Sequence, residues 1–255
     1  MTDKTQILNE LVDMSRKLGL PEHDHVILGE GNTSAKIDDT AFWIKGSGEQ
    51  LHEIHESGFV EVSLEKSLAL LEKKDLAGES LKNTLVSTMI NTESTGRPSI
   101  EILMHAVVIK HAQAKFVAHT HTTVINGMMC SEKAEEFAHA RLFPDHVVQC
   151  GPDSVYIPYQ PPGLPLGNAV LDGIIAYQKR YSENPKTIFL KNHGVIIFGQ
   201  SVHEVLTILA MTTKAARIFH AAASIGRVHA LDENEVQVLS GREDELYRRK
   251  KLIKA

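Results

Sequence analysis

Two histidines stand two residues apart in His119-Thr120-His121. On a β-strand, side chains at i and i+2 point to the same face, so both imidazoles could reach one ion. On a helix they would stand about 200° apart. The preceding Phe116-Val117-Ala118 favours the strand. The plainer alternative is two polar residues on a solvent-facing strand. A third imidazole, His193, lies in Lys191-Asn192-His193-Gly194, directly after the apolar run Thr187–Leu190. Beside a glycine that permits close approach it is placed to be a third ligand, although alone it reads more readily as a turn residue.

Glu101 follows Arg97-Pro98-Ser99-Ile100 at the start of a helical pattern. A carboxylate there stabilises the electropositive helix end. If it faces a metal instead, it can be a ligand or a base. His105 is four residues on, on the same helix face, and reads as a packed or supporting histidine. Two Gly-rich turns, Gly29-Glu30-Gly31-Asn32-Thr33-Ser34 and Lys45-Gly46-Ser47-Gly48, could offer backbone N–H groups to an anion. Neither has the P-loop order, and Gly29-x-Gly31 lacks the third glycine of a dinucleotide fingerprint. Taken singly, both are better explained as ordinary hairpin turns than as phosphate sites.

The elements that must position these residues follow from periodicity. Helices are expected over 4–19, 63–73, 80–92, 99–112, 122–130, 131–140, 165–181, 201–225 and 232–252, with Ser99 and Ser131 as N-caps. Strands are expected over 34–37, 41–44, 116–121, 147–149, 155–157, 187–190 and 195–198. Strands and helices are mixed without clean βαβ alternation. This predicts one α/β domain over 1–255 with a mostly antiparallel or mixed sheet between helices.

Composition sets outer limits. The chain has 255 residues, 42% hydrophobic and 23% charged, which excludes a disordered polypeptide. No apolar run approaches the roughly 20 residues of a membrane span. The net charge is −5 and no basic stripe argues for nucleic acid. Residues 1–17 lack the apolar core of a signal peptide, and two cysteines cannot build a disulfide scaffold, so a reduced, cytoplasmic protein is expected. With 14 histidines against two cysteines, any metal site must rest on imidazole and carboxylate.

In order along the chain, these motifs resemble the class II aldolase/adducin family, closest to its rhamnulose-phosphate-aldolase-like branch. The resemblance runs from about Glu10 to Ile225. It rests on Gly31-Asn32-Thr33-Ser34, Lys45-Gly46-Ser47-Gly48, Arg97-Pro98-Ser99-Ile100-Glu101 with His105, His119-Thr120-His121, Ile157-Pro158-Tyr159 and Asn192-His193-Gly194-Val195. It implies a single α/β/α domain with a mainly antiparallel central sheet, commonly a homotetramer with sites at subunit interfaces. It implies that His119, His121 and His193 hold a divalent metal, usually zinc, with Mn2+, Co2+ or Fe2+ as alternatives. Three imidazoles leave the open position a catalytic zinc requires. Glu101 would be the acid/base, and Asn32, Ser47, Gly48 and Ser99 would line a substrate phosphate pocket.

The activity implied is aldol cleavage of a small phosphorylated ketose or deoxyketose, giving an aldehyde and a dihydroxyacetone-phosphate-type product. A 4-epimerase, decarboxylase or dehydratase on the same scaffold is the nearest alternative, and a non-catalytic adducin-like interaction module is the alternative of another class. A Schiff-base lysine at Lys45 or Lys191 is disfavoured. Two departures stand out. Ile100 replaces a second serine often found before the glutamate, and Tyr159 comes early for the catalytic tyrosine of the loop after Ile-Pro. The second proton donor is therefore open between Tyr159, Asp145 and a residue of a neighbouring subunit.

Overall fold

The computed structural model describes residues 3–73, 76, 78–91 and 96–242. The described helices are α1 (Lys4–Leu18), α2 (Leu64–Ala69), α3 (Gly78–Val86), α4 (Ile102–His111), α5 (Thr123–Met129), α6 (Ala134–His139), α7 (Pro144–Cys150), α8 (Leu164–Tyr181), α9 (Val202–Ile225) and α10 (Glu233–Gly241). The strands are β1 (Asn32–Lys36), β2 (Ala41–Lys45), β3 (Phe59–Ser63), β4 (Phe116–Thr120), β5 (Val155–Ile157), β6 (Thr187–Leu190) and β7 (Gly194–Gly199).

The seven strands form one sheet in the order β3-β2-β1-β4-β7-β6-β5. Every neighbouring pair is antiparallel except β5 and β6, which α8 joins as a parallel crossover. The expected mainly antiparallel sheet between helices is what the chain forms. Alternate residues of the central strands serve two cores. Val117, Ile196 and Phe198 pack with α4 and α8 on one face, while Phe116, Ala118, Val195 and Ile197 pack with α1 and α9 on the other. Residues Ile102 to Ile109 of α4 are all buried, as expected for a helix clasped between the sheet and a second helix.

Helix starts follow side-chain chemistry. Asp3 accepts from Thr5 N–H ahead of α1, Ser201 accepts from Glu204 N–H ahead of α9, and Asp232 and Glu235 cap each other's backbone at α10. The strand expected over 147–149 is instead part of α7. Pro144 at the first helical position sets the local conformation, and Val147 and Val148 are buried on a helix that packs against α9, overriding their β preference. The expected helix at 80–92 ends at Val86, and Met89 bridges to Val62 of β3. Thr92 lies outside the described residues, as does the expected final helix beyond Arg242. β1 starts two residues earlier than its pattern suggests, because Asn32, Thr33 and Ser34 are buried with partners across the fold. Ser15 and Thr33 hydroxyls meet at 2.6 Å, and Ser34 Oγ lies 2.7 Å from Nδ1 of His105. No helix among the described residues is long and apolar enough to cross a membrane.

Candidate active site

One end of the sheet gathers the chemistry. β4 runs out to His119 and Thr120, and its antiparallel neighbours bring Asn32 opposite His119 and Val195 opposite Thr120. His121 lies one residue beyond the strand, its N–H donating to the His25 carbonyl. His193 sits in the turn between β6 and β7, after Asn192 in the left-handed region (φ 54°), which asparagine tolerates better than most residues. The three rings converge with centroids 4.8–5.3 Å apart. One nitrogen from each lies within 4.8 Å of the others. Gly194 makes this packing possible: a Cβ there would stand 2.5 Å from the Thr120 carbonyl and 3.0 Å from both His119 and His121 rings.

The donor chemistry fits a cation. The Nδ1 of His119 lies 3.1 Å from the Val195 carbonyl, which can only accept. The Nδ1 of His121 lies 2.9 Å from a Glu30 carboxylate oxygen. With each ring's N–H placed on Nδ1 by its acceptor, the two Nε2 lone pairs face each other, 3.0 Å apart. Two facing lone pairs repel unless a cation sits between them, and imidazole Nε2 is a common metal ligand. Burial pushes His119 down to about 3, so at neutral pH it is the neutral imidazole that a metal needs.

Glu101 reaches this cluster from the turn before α4. Its Oε1 is 3.1 Å from Nε2 of His193 and 3.6 Å from Nε2 of His119, and its Oε2 accepts from the Asn32 amide. Burial alone would raise the Glu101 carboxyl, but the imidazoles of His119 and His193 outweigh it and hold the group below the usual carboxylate range. At neutral pH Glu101 is therefore a carboxylate. The Asn32 Oδ1 is buried with no hydrogen-bond partner, an acceptor left open beside the carboxylate. The helix expected from Ser99 starts three residues later, at Ile102. Ser99 still acts at its entry: its hydroxyl accepts from Glu101 N–H at 3.3 Å and from the Asn32 amide at 3.4 Å.

The remaining expected residues lie on the adjoining turn. Gly46 bridges to Pro98, and Ser47 N–H donates to the Arg97 carbonyl at 2.8 Å, so this turn is fixed to the Ser99 segment. Ser47 and Gly48 are exposed, and Gly48 has φ 86° with open space around it. Buried Lys45 ties the two Gly-rich turns together, its Nζ donating to the Gly29 and Glu49 carbonyls. That commitment removes Lys45 as a free Schiff-base amine, and Lys191 is exposed on the β6–β7 turn.

His105 stays outside the triad. Burial pushes it down to about 4, Ser34 holds its Nδ1, and its Nε2 has no partner. Tyr159 leaves the same sheet end after β5 but is 57% exposed, and Asp145 lies in the first turn of α7, on a helix packed against α9 and α10. Sequence reasoning missed Glu30 and Asn126. Glu30 was hidden inside a turn judged by its glycines. Asn126 donates to the His193 carbonyl at 3.1 Å from 67 residues away, a contact with no local signal.

Residues 9–220 match the family model for the class II aldolase and adducin N-terminal domain. An uncharacterized oxidoreductase of Bacillus subtilis, YuxG, is 27% identical over 68% of this chain, which spans about a quarter (24%) of that protein. The 3-oxo-tetronate 4-phosphate decarboxylase of Haemophilus influenzae is 24% identical, covering 87% of this chain and 90% of that protein. The structure of an L-fuculose 1-phosphate aldolase superposes with a TM-score of 0.69 at 18% identity, covering 93% of this chain and 96% of that one.

Proposed function

The chain belongs to the class II aldolase and adducin family, and from that premise we propose that it is a metal-dependent carbon–carbon lyase acting on a small phosphorylated ketose or deoxyketose. The observation that carries the reading is a largely enclosed carboxylate, Glu101, with its side chain 12% exposed, 3.1 Å from one imidazole of a converging triad and 3.6 Å from another. A non-catalytic interaction module has no use for that arrangement. A divalent cation, zinc in this proposal, held by His119, His121 and His193 would supply Lewis-acid stabilisation of the charge that carbon–carbon cleavage leaves on the substrate.

The chain's own residues do the rest. Glu101, ionised and held by the Asn32 amide, moves a proton at the substrate carbon. Asn32, Ser47, Gly48 and Ser99 bind the phosphate, whose interactions supply binding energy away from the reacting bond. The proposal includes a cytoplasmic homotetramer with sites at subunit interfaces. The partner that protonates the leaving fragment is Tyr159, Asp145 or a residue of the neighbouring subunit.

A second reading has a specific observation behind it, since the Haemophilus influenzae decarboxylase aligns along nearly the full length of both chains. The same centre would then stabilise the charge left by loss of carbon dioxide from a phosphorylated 3-oxo acid. Incubating cation-loaded protein with ketose 1-phosphates, ketose 5-phosphates and phosphorylated 3-oxo acids separates the two. Release of dihydroxyacetone phosphate is the expected result, and carbon dioxide alone would replace the lyase by the decarboxylase. Fully loaded protein inert to every compound would overturn both. The loading itself is checked by emission spectroscopy: about one ion per wild-type chain, and none retained by a folded His193→Ala variant.

A further inference from the structure

We propose that Glu30 is a positioning residue of the metal centre, fixing His121 in the tautomer that turns its Nε2 lone pair toward His119 and His193. The inference rests on reading the three histidines as that centre. Glu30 Oε2 lies 2.9 Å from Nδ1 of His121. An ionised carboxylate can only accept, so the shared proton sits on Nδ1 and Nε2 is left as an acceptor. His119 receives the same treatment from the Val195 backbone carbonyl, at 3.1 Å. The His121 ring is set by a side chain, and so its orientation depends on residue type at position 30.

The carboxylate is held in place for this task. Its other oxygen accepts from Ile27 N–H at 2.7 Å, and Glu30 N–H donates back to the Ile27 carbonyl at 3.2 Å, closing a four-residue turn. The buried Lys45 ammonium pins the adjacent carbonyl, that of Gly29, at 3.0 Å. Within the turn Leu28 adopts φ 52°, a region leucine disfavours, with its side chain 76% exposed. No apolar burial of Leu28 compensates that backbone. What the turn does hold is a carboxylate against a ring nitrogen. The charge of Glu30 on the far side of the ring also makes the imidazole a better donor to a cation.

Two substitutions separate this role from simple turn capping. In Glu30→Gln the amide oxygen can still accept from Ile27 N–H, but its NH2 then faces Nδ1 of His121. Donor would meet donor, and the ring proton moves to Nε2, pointing into the centre. Glu30→Ala removes both contacts and leaves Nδ1 to water. The measurement is Co2+ affinity of each purified protein at one fixed pH, by competition with a chromophoric chelator, with the cobalt absorption bands recorded alongside. The expected result is a 10–100-fold loss of affinity in Glu30→Gln, at least as large as the loss in Glu30→Ala, with altered bands. A Glu30→Gln affinity within twofold of wild type, or a larger loss in Glu30→Ala than in Glu30→Gln, overturns the inference while leaving the metal centre standing. Wild-type protein that takes up no cobalt overturns the centre, and the inference with it.

Discussion

Glu101 sits where two demands meet. In the proposed lyase it must be close enough to the imidazoles to act beside a cation held there, and it must be aimed. The first is met by its 3.1 Å approach to His193, the second by the Asn32 amide on its other oxygen. These functions are separable. Glu101→Gln keeps shape and retains all three histidines, so cation content should stay near wild type while turnover falls about 10²–10⁴-fold, the range of a lost acid/base group. Cation analysis and steady-state kinetics on the same preparation check it, and turnover near wild type would remove Glu101 as the base. Asn32→Ala removes the aiming bond together with the Ser99 contact and a proposed phosphate contact, so kcat should fall by about tenfold or more and KM should rise, with cation content unchanged. The meeting of His119 and His121 was legible because i and i+2 at a strand end is a local pattern, whereas His193 joins them from the distant turn before β7. Glu30 was not, because its partner His121 is 91 residues away and nothing near Gly29-Glu30-Gly31 marks a carboxylate as more than a turn residue.

The site is an arrangement of strand ends, so its precision belongs to β1, β4 and β7 and the turn feeding β7. Gly194 shows how tight that arrangement is. Its missing Cβ would lie 2.5 Å from the Thr120 carbonyl, a backbone atom of the central strand that cannot step aside without disturbing the β4–β7 ladder. Gly194→Ala should therefore lower stability by about 1–3 kcal/mol, the scale of an overpacked core position. It should also loosen cation binding, because the same Cβ stands 3.0 Å from the His119 and His121 rings. Urea unfolding and cation affinity measured together test this, and an unperturbed affinity would mean the rings have slack the geometry denies. The pattern of β4, β6, β7, α8 and α9 could be read from the chain because each buries one regular set of apolar residues. Two readings failed for a common reason. Residues 147–149 look like a strand by residue type, yet Pro144 and the α9 surface make them helix. Residues 32–33 look like a loop by residue type, yet buried hydroxyl and amide partners from distant elements make them strand. Tertiary partners decided both, and a periodicity argument does not see them.

Across the molecule, the two cores flanking the sheet enclose histidine rings as well as aliphatic side chains. Burial pushes His105 down to about 4 from an ordinary 6.5, and His146 well below it, with Arg141 lowering it further. In metal-free protein His119 joins them at about 3. Each of these rings is neutral in the folded state and takes up a proton near pH 6.5 once unfolded. The unfolded chain therefore binds more protons than the folded one between about pH 6.5 and 4. Their contribution to stability is complete above pH 6.5, is lost as pH falls through that window, and levels off below the folded values. His139 has the opposite sign, because its hydrogen bond to Asp153 raises it. Its contribution is already present throughout the same window and is lost only at higher pH, so it does not offset the slope. Metal-free protein should accordingly lose stability as pH falls from 7 to 4.5. His105 alone, at about 4 folded against 6.5 unfolded, contributes on the order of 2 kcal/mol of that loss, at about 1.4 kcal/mol for each tenfold difference in proton affinity, discounted for relaxation. Urea midpoints across that range measure it. His105→Gln keeps an acceptor for the Ser34 hydroxyl and removes one titrating ring, so its stability should depend less steeply on pH than that of wild type. Parallel curves for the two proteins would mean His105 does not titrate on unfolding as its burial requires.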